Sequence, residues 1–433
     1  MQSPSTTVPP MPPLLNSRLS VMMFLQYAIW GAWLPFLWSY LYDYREMQES
    51  QIGWIFAAGA VGAIFGPFIA GQIADRYFAT EKFLGLSHLA GAALIWQLPN
   101  IASFSGFFLF SALYGMLYAP TMSLTNSLAF HHIPDRDRDF GRVRLWGTVG
   151  WIVVGLSMGH WLAFRHTPEG LQPNALLTAL AAGKADAFRL SALLGVAMGV
   201  YCFTLPHTPP DRGAQSNAAL SALKAVRINP LLTLFALAIP VSIIHQFYFV
   251  HAEAFLSAKQ LESPAWMKAV FGAGGGGLMT IGQMSEVVVL ALIPLLILRF
   301  SRKTMLAIGL AAYALRMALF AYVDVIPLPT MVTLVLGIAL HGIIFGCFIF
   351  LAFIIVDEET RPDVRASAQN LFNLVIVGCG VIVGSMVATS VAKWAGQGDS
   401  SDYFTKLFAV PMYASLVCLV LLLALYPRRR AAL

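Results

Sequence analysis

The sequence predicts an all-α polytopic membrane protein, with twelve transmembrane helices in two six-helix pseudo-repeats. Three observations predict it. Of the 433 residues 58% are hydrophobic and only 11% charged, with a mean hydropathy of +0.71, whereas a soluble chain of this length carries about a quarter charged residues. The charges are clumped and leave repeated stretches of roughly 20 apolar residues, the length that crosses about 30 Å of hydrocarbon. Landmarks of the first half also return in the second at a nearly constant offset.

Taken in order, hydropathy places spans at 19–42, 51–74, 83–99, 104–128, 143–164, 189–206, 230–256, 277–299, 303–323, 329–355, 366–394 and 404–426. The first is too long for a cleaved signal, and the stretch before it, Met1 to Ser17, has no basic residue. The expected organisation is a disordered Pro- and Ser-rich tail (1–18), a bundle (19–206), a polar linker (207–229), a second bundle (230–427) and a basic tail (428–433). With both termini cytoplasmic, 18 basic residues, Arg76, Arg144 and Arg365 among them, fall in cytoplasmic connections and eight on the opposite side. Arg316 alone of the 27 stays inside a span. That asymmetry predicts the orientation and accounts for the net charge of +6 without a nucleic-acid partner. The four cysteines sit in apolar stretches at unrelated spacings and indicate neither a disulfide framework nor a metal site. No cofactor is implied.

The segment FLQYAIWGAWLPFL around Gln26 is echoed by IHQFYFVHAEAFL around Gln246, 220 residues later. Val143 and Arg144 match Val364 and Arg365 at 221, and Arg76 and Tyr77 match Arg299 and Phe300 at 223. Two parallel six-helix halves are the layout of the major facilitator superfamily, in which the solute site lies near the midplane between the halves and access alternates by rocking. GQIADR (Gly71 to Arg76) fits the superfamily's loop signature in its Gly, Asp and Arg but departs from it at Tyr77, Phe78 and Ala79. Asp75 is expected to cap a helix N-terminus of the other half, favoured by the dipole there, as part of a gating set with Arg76 and Arg365.

Several segments together resemble the nucleoside:proton symporter family of that superfamily, the NupG-like permeases. They are FLQYAIWGAWL (Phe24 to Leu34), YAPTMSLTN (Tyr118 to Asn126), RLWGTVGW (Arg144 to Trp151), GQMSE (Gly282 to Glu286), LRMALFAYVD (Leu315 to Asp324) and RASAQ (Arg365 to Gln369). The resemblance implies a proton-coupled importer of nucleosides, monomeric, in a bacterial inner membrane. It puts solute contacts at Arg144, Thr148, Trp151, Gln246, Gln283, Glu286, His341 and Phe345. The sequence departs from the better-known members at four positions: Phe249 replaces an Asn, His341 a Tyr, Trp151 a Phe and Gly346 an Asp.

The residues themselves point the same way. A charge at the bilayer centre costs about 3 kcal/mol on insertion scales, so one that persists faces a cavity or a partner. Glu286 and Gln283 share a helix face, able to hydrogen-bond a polar, uncharged solute. Glu286 is the expected proton carrier, and Arg316 its expected salt-bridge partner. Gln246, Phe249 and Glu253 form one stripe, with Glu253 either a second proton group or a solvated helix end. Arg144, Thr148 and Trp151 form another, and His341 and Phe345 a third. A flat base needs aromatic rings, and ribose hydroxyls need amide or carboxylate partners.

Other signals carry less. GAGGGG (Gly272 to Gly277) satisfies a dinucleotide pattern literally but follows no strand, and is expected to supply flexibility. His131 and His132 have no third metal ligand nearby, and DRDRD (Asp135 to Asp139) reads as a solvated loop. Asp324 is expected to be solvated. Two alternatives stay open: a transporter of another neutral polar solute, such as a sugar or glycoside, and a membrane sensor or integral membrane enzyme. No catalytic set is clustered, so an enzyme is not expected.

Overall fold

The computed structural model describes residues 9–69, 78–168, 170–209, 226–261, 263–361, 364–396 and 402–427. Described secondary structure is helical throughout. Ten stretches among the described residues are long and apolar enough to cross a membrane. They are α1 (Pro13–Tyr44), α4 (Phe104–His132), α5 (Arg136–Arg165), α6 (Pro173–Cys202), α7 (Leu231–Gln260), α8 (Gly275–Arg299), α9 (Arg302–Ala321), α10 (Thr330–Glu358), α11 (Arg365–Asn373, Leu374–Cys379 and Gly380–Ala395) and α12 (Tyr403–Leu425). Two further helices are α2 (Glu49–Ile69) and α3 (Thr80–Gln97).

Local chemistry sets several ends. Ser103 caps α4 by accepting from the Gly106 N–H, and Ser301 caps α9 by accepting from Thr304. Proline opens α1 at Pro13 and α6 at Pro173, where the missing N–H is one the helix would not have used. The last turns of α1, the middle of α10 (Phe345–Phe350) and the middle of α11 (Leu374–Cys379) widen into π-helical turns. Such turns gather at functional sites.

Among the first six helices, α1 packs on α5 and α6, α2 on α4, and α3 on α4 and α6. Among the last six, α7 packs on α11 and α12, α8 on α10, and α9 on α10 and α12. Each pairing in the first set has its counterpart in the second. The sets meet along α2 with α11 and α5 with α8. The outer surface is apolar, with Leu193, Val288, Leu295, Leu298 and Val420 all exposed, as lipid-facing positions of backbone-satisfied helices should be.

In lipid no hydrophobic force draws helices together, so small residues that let backbones touch decide the packing. A Cβ on Gly62 of α2 would stand 1.9 Å from the Gly115 carbonyl oxygen of α4, and one on Gly115 2.6 Å from that of Gly59. On α5, a Cβ at Gly150 would meet the Phe24 carbonyl of α1 at 2.3 Å.

Two expected boundaries move. The helix expected from 143 begins at Arg136, which sets Arg144 two turns inside α5. The helix expected from 189 begins at Pro173. Hydropathy penalised Lys184, Asp186 and Arg189, yet these charges are matched: Arg189 Nη1 lies 2.7 Å from Asp186, His166 Nε2 3.0 Å from it, and Lys184 pairs with Glu253. Asp75, Arg76 and the GQIADR segment lie outside the described residues, as do 210–225 of the linker and Arg428 to Arg430.

Gly115→Leu should separate α2 from α4 and destabilise the protein by about 2 kcal/mol, the scale of overpacking at a closed contact. The check is thermal melting of the detergent-purified protein, and an unchanged midpoint would contradict the backbone contact.

Candidate functional site

The ionisable side chains inside the spans fall into two groups, and the first is built by a glycine. A Cβ on Gly342 of α10 would lie 2.4 Å from the Ser285 carbonyl group of α8, and the Gly342 N–H donates to Ser285 Oγ at 3.0 Å. The two helices therefore touch backbone to backbone, and His341 is carried against Glu286, its Nε2 3.7 Å from Oε2. On the other side of the ring, Nδ1 lies 3.2 Å from Nη1 of Arg316 on α9. A guanidinium can only donate, so Nδ1 accepts. The expected Glu286–Arg316 salt bridge is thus replaced by an Arg316–His341–Glu286 series, because the imidazole stands between the two charges.

Arg316 is fully buried. Its Nε and Nη2 have no hydrogen-bond partner, and its guanidinium lies over the Tyr248 ring at 4.2 Å and the Tyr313 ring at 5.5 Å, so ring faces supply part of its compensation. Gln283, three residues before Glu286, is buried with its Oε1 unpartnered.

Aromatic rings continue this group across the molecule. His341 stacks with Tyr248 at 5.2 Å, His245 at 5.8 Å and Phe345 at 6.4 Å. His245 Nδ1 is 2.7 Å from the Tyr313 hydroxyl. Phe249 meets His245 edge-on at 5.1 Å and Trp151 of α5 at 6.3 Å, and Trp151 meets Trp30 of α1 at 5.4 Å. One chain of contacts therefore joins Glu286, His341, Phe249 and Trp151, with Phe345 beside it, and crosses from the last six helices to the first six.

Other expected residues lie aside from that chain. Gln246 turns toward α11, its Nε2 donating to Ser385 Oγ at 3.0 Å. Arg144 is half-buried, with its guanidinium 3.9 Å above the Tyr27 ring of α1, and Thr148, one turn on, is buried. The repeat partner of Gln246, Gln26, is also fully buried. It donates to Thr121 Oγ1 at 2.8 Å and accepts from His88 Nε2 at 2.9 Å.

The second group surrounds Glu253, which is not a solvated helix end: its relative exposure is 0%. Lys184 Nζ lies 2.9 Å from Oε2, and Ser39 Oγ donates to the same oxygen. Ser257 Oγ donates to Oε1 at 2.7 Å, and the Gly275 N–H, at the start of α8, reaches it at 3.2 Å. The positive end of the α8 dipole adds to this set. One carboxylate so ties α1 and α6 to α7 and α8. Beside it the glycine run is a fitted contact rather than a flexible joint. Gly272 and Gly274 have φ of 72° and 81°, open to glycine at no steric cost. A Cβ on Gly272 would stand 2.0 Å from the Gly159 carbonyl carbon of α5, and the Ala273 N–H donates to Gly159 O at 2.8 Å.

Asp324 is exposed as expected and accepts from Lys259 Nζ at 2.6 Å. Arg365, at the start of α11, lies 3.5 Å from Asp357. The sequence reading missed Lys184, His245, Tyr248 and Tyr313. Helical spacing held a signal for two of them, since Tyr313 precedes Arg316 by three residues and His245 precedes Phe249 by four.

Comparison with known proteins agrees with this architecture. Residues 14–430 match the family model described as nucleoside H+ symporter. YegT of Escherichia coli (strain K12) is 33% identical over 85% of this chain and 82% of its own. The nucleoside permease NupG of the same organism is 27% identical over 90% of this chain and 91% of its own. The crystal structure of the nucleoside transporter NupG superposes with a TM-score of 0.80 at 24% identity, covering 96% of this chain and 100% of that one. That of a D-xylose-proton symporter superposes at 0.69 and 13%, covering 95% and 98%, a likeness of fold alone. An all-helical membrane chain of major facilitator type, matched over nearly its whole length, belongs to the nucleoside H+ symporter family.

Proposed function

We propose that this protein imports nucleosides together with protons by alternating access, as a monomer in the bacterial cytoplasmic membrane with both termini inside. In this reading twelve helices form two six-helix halves, 19–206 and 230–427, joined by the linker 207–229. The matching helix pairings within the two sets support it. The observation that carries the function is the buried Glu286 beside Gln283 and His341, reached from the other half through Trp151 and Phe249.

Each part of the solute has a counterpart. Trp151, Phe249 and Phe345 offer ring faces to a base, while Gln283, Glu286 and His341 offer polar groups to its edge and to the ribose. Gln283 Oε1 is free to accept. Arg144, Thr148 and Gln246 complete the solute set from α5 and α7. Glu286 takes the coupled proton, because a carboxylate with a single neutral imidazole beside it is costly in hydrocarbon and is relieved by protonation. Asp75, Arg76 and Arg365 act at the cytoplasmic gate. At the opposite end, the Lys184–Glu253 pair holds the halves together and separates when the site opens outward; protonation of Glu253 weakens it.

Labelled uridine or adenosine should enter proteoliposomes and accumulate when an inward proton gradient is applied. Accumulation indifferent to the gradient would remove proton coupling, and no entry would remove the nucleoside. Glu286→Gln should abolish uphill accumulation while exchange of labelled for unlabelled nucleoside persists, and wild-type accumulation in that variant would take Glu286 out of the proton path.

The second pair gives a separate expectation. Lys184→Met should cost about 3 kcal/mol by leaving Glu253 buried without its cation. Combining it with Glu253→Gln should recover most of the loss in thermal melting, and a double variant as unstable as the single one would show that the two charges are not coupled.

A further inference from the structure

His341 is ringed by titratable and charged groups, and their placement decides which of its nitrogens holds a proton. From α9, Arg316 presents Nη1 to Nδ1 at 3.2 Å. From α8, Glu286 presents Oε2 to Nε2 at 3.7 Å. From α7, His245 and Tyr248 lie against the ring faces at 5.8 Å and 5.2 Å, and from α10 itself Phe345 stacks at 6.4 Å. His245 does not compete for Arg316, since its Nδ1 is engaged by the Tyr313 hydroxyl at 2.7 Å.

Three protonation forms of His341 can be weighed against this frame. With the proton on Nε2, Nδ1 accepts from Arg316 and the N–H faces a carboxylate. Both ends are matched. With the proton on Nδ1 instead, two donors collide, the Nε2 lone pair faces the carboxylate, and fully buried Arg316, which already has Nε and Nη2 unpartnered, loses its hydrogen bond to His341. The imidazolium keeps the favourable end toward Glu286 but points Nδ1–H into a guanidinium.

We infer that Arg316 is a positioning residue, which fixes His341 as its neutral Nε2–H tautomer and so leaves Glu286 as the group of this pair that takes up the cycling proton. This rests on the transport reading above and deepens it. The site keeps a constant N–H donor next to a carboxylate acceptor whatever the pH. A base edge with an acceptor beside a donor meets both. When Glu286 is protonated, the acceptor is lost and the donor remains, so proton loading alters how the edge is held without changing the imidazole. Arg316 acts here through His341 and need not touch the solute.

The test is nitrogen NMR of the full-length protein, labelled with ¹⁵N-histidine and held in lipid nanodiscs, with His341→Gln used to assign the ring signals. Across about pH 5.5 to 8, where free histidine titrates, wild-type Nε2 should stay protonated and Nδ1 unprotonated. Arg316→Gln should let His341 titrate within that window. Its uridine uptake should then show one added ionisation and fall about tenfold at the acidic end relative to wild type. Arg316→Lys, which keeps a donor and a charge, should hold the wild-type nitrogen pattern. A proton on Nδ1 in the wild type, or Arg316→Gln signals identical to wild type, would overturn the assignment. Absence of uridine uptake in the wild type would overturn the transport reading and leave the nitrogen signals to decide the tautomer.

Discussion

Charge buried in an apolar bundle has to be answered from a neighbouring helix, and in this protein that requirement ties the interior together. An ionised group at the centre of a bilayer costs about 3 kcal/mol on insertion scales, and interhelical hydrogen bonds in membranes return only about 0.6 to 2 kcal/mol each. One contact does not offset one charge. Glu253 has a lysine, two hydroxyls and a backbone N–H. Glu286 has one imidazole nitrogen at 3.7 Å. The first carboxylate is saturated by the fold, whereas the second retains capacity for a proton or a solute, and the difference in their surroundings is the physical basis for giving them different work.

Glycine makes these pairings possible. At Gly342 the α8 and α10 backbones meet, which sets the distance from His341 to Glu286. At Gly159 and Gly272 the backbones of α5 and the lead-in to α8 meet beside the Glu253 cluster. Close approach replaces hydrophobic attraction as the organising force, since lipid tails solvate an apolar helix as well as another helix does. The polar clusters then sit where the glycines allow.

Much of this was legible in the sequence, and the failures have a common form. Apolar runs gave most of the helices, but Pro173 to Phe188 was missed because Lys184 and Asp186 lower its hydropathy, and their partners come from elsewhere in the chain. Glu253 read as solvated for the same reason: its cation lies 69 residues away. Spacing along single helices found Gln283 with Glu286, and Arg144 with Thr148 and Trp151. It does not say how α9 is set against α10, so it paired Arg316 with Glu286 directly and overlooked the imidazole between them. Gln246, placed on the same stripe as Phe249, turns to Ser385 on α11 instead, because three residues along a helix still leave about 60° between side chains.

The two polar groups also constrain how the proposed cycle is driven. Protonating Glu253 cancels its attraction to Lys184 but keeps the serine hydroxyls and the Gly275 N–H within hydrogen-bond reach of a neutral carboxyl. The glycine contact between Gly159 and Gly272 is untouched by any proton. A proton at that end therefore loosens the closed arrangement without opening it. The remaining drive comes from groups that change partners when solute arrives or leaves, and the sparsely bonded Glu286, linked through His341, Phe249 and Trp151 to the other half, is the group best placed to supply it. Coupling between solute and proton then does not require one residue to do both tasks: Glu286 registers occupancy and charge, while Glu253 sets how firmly the far end stays shut.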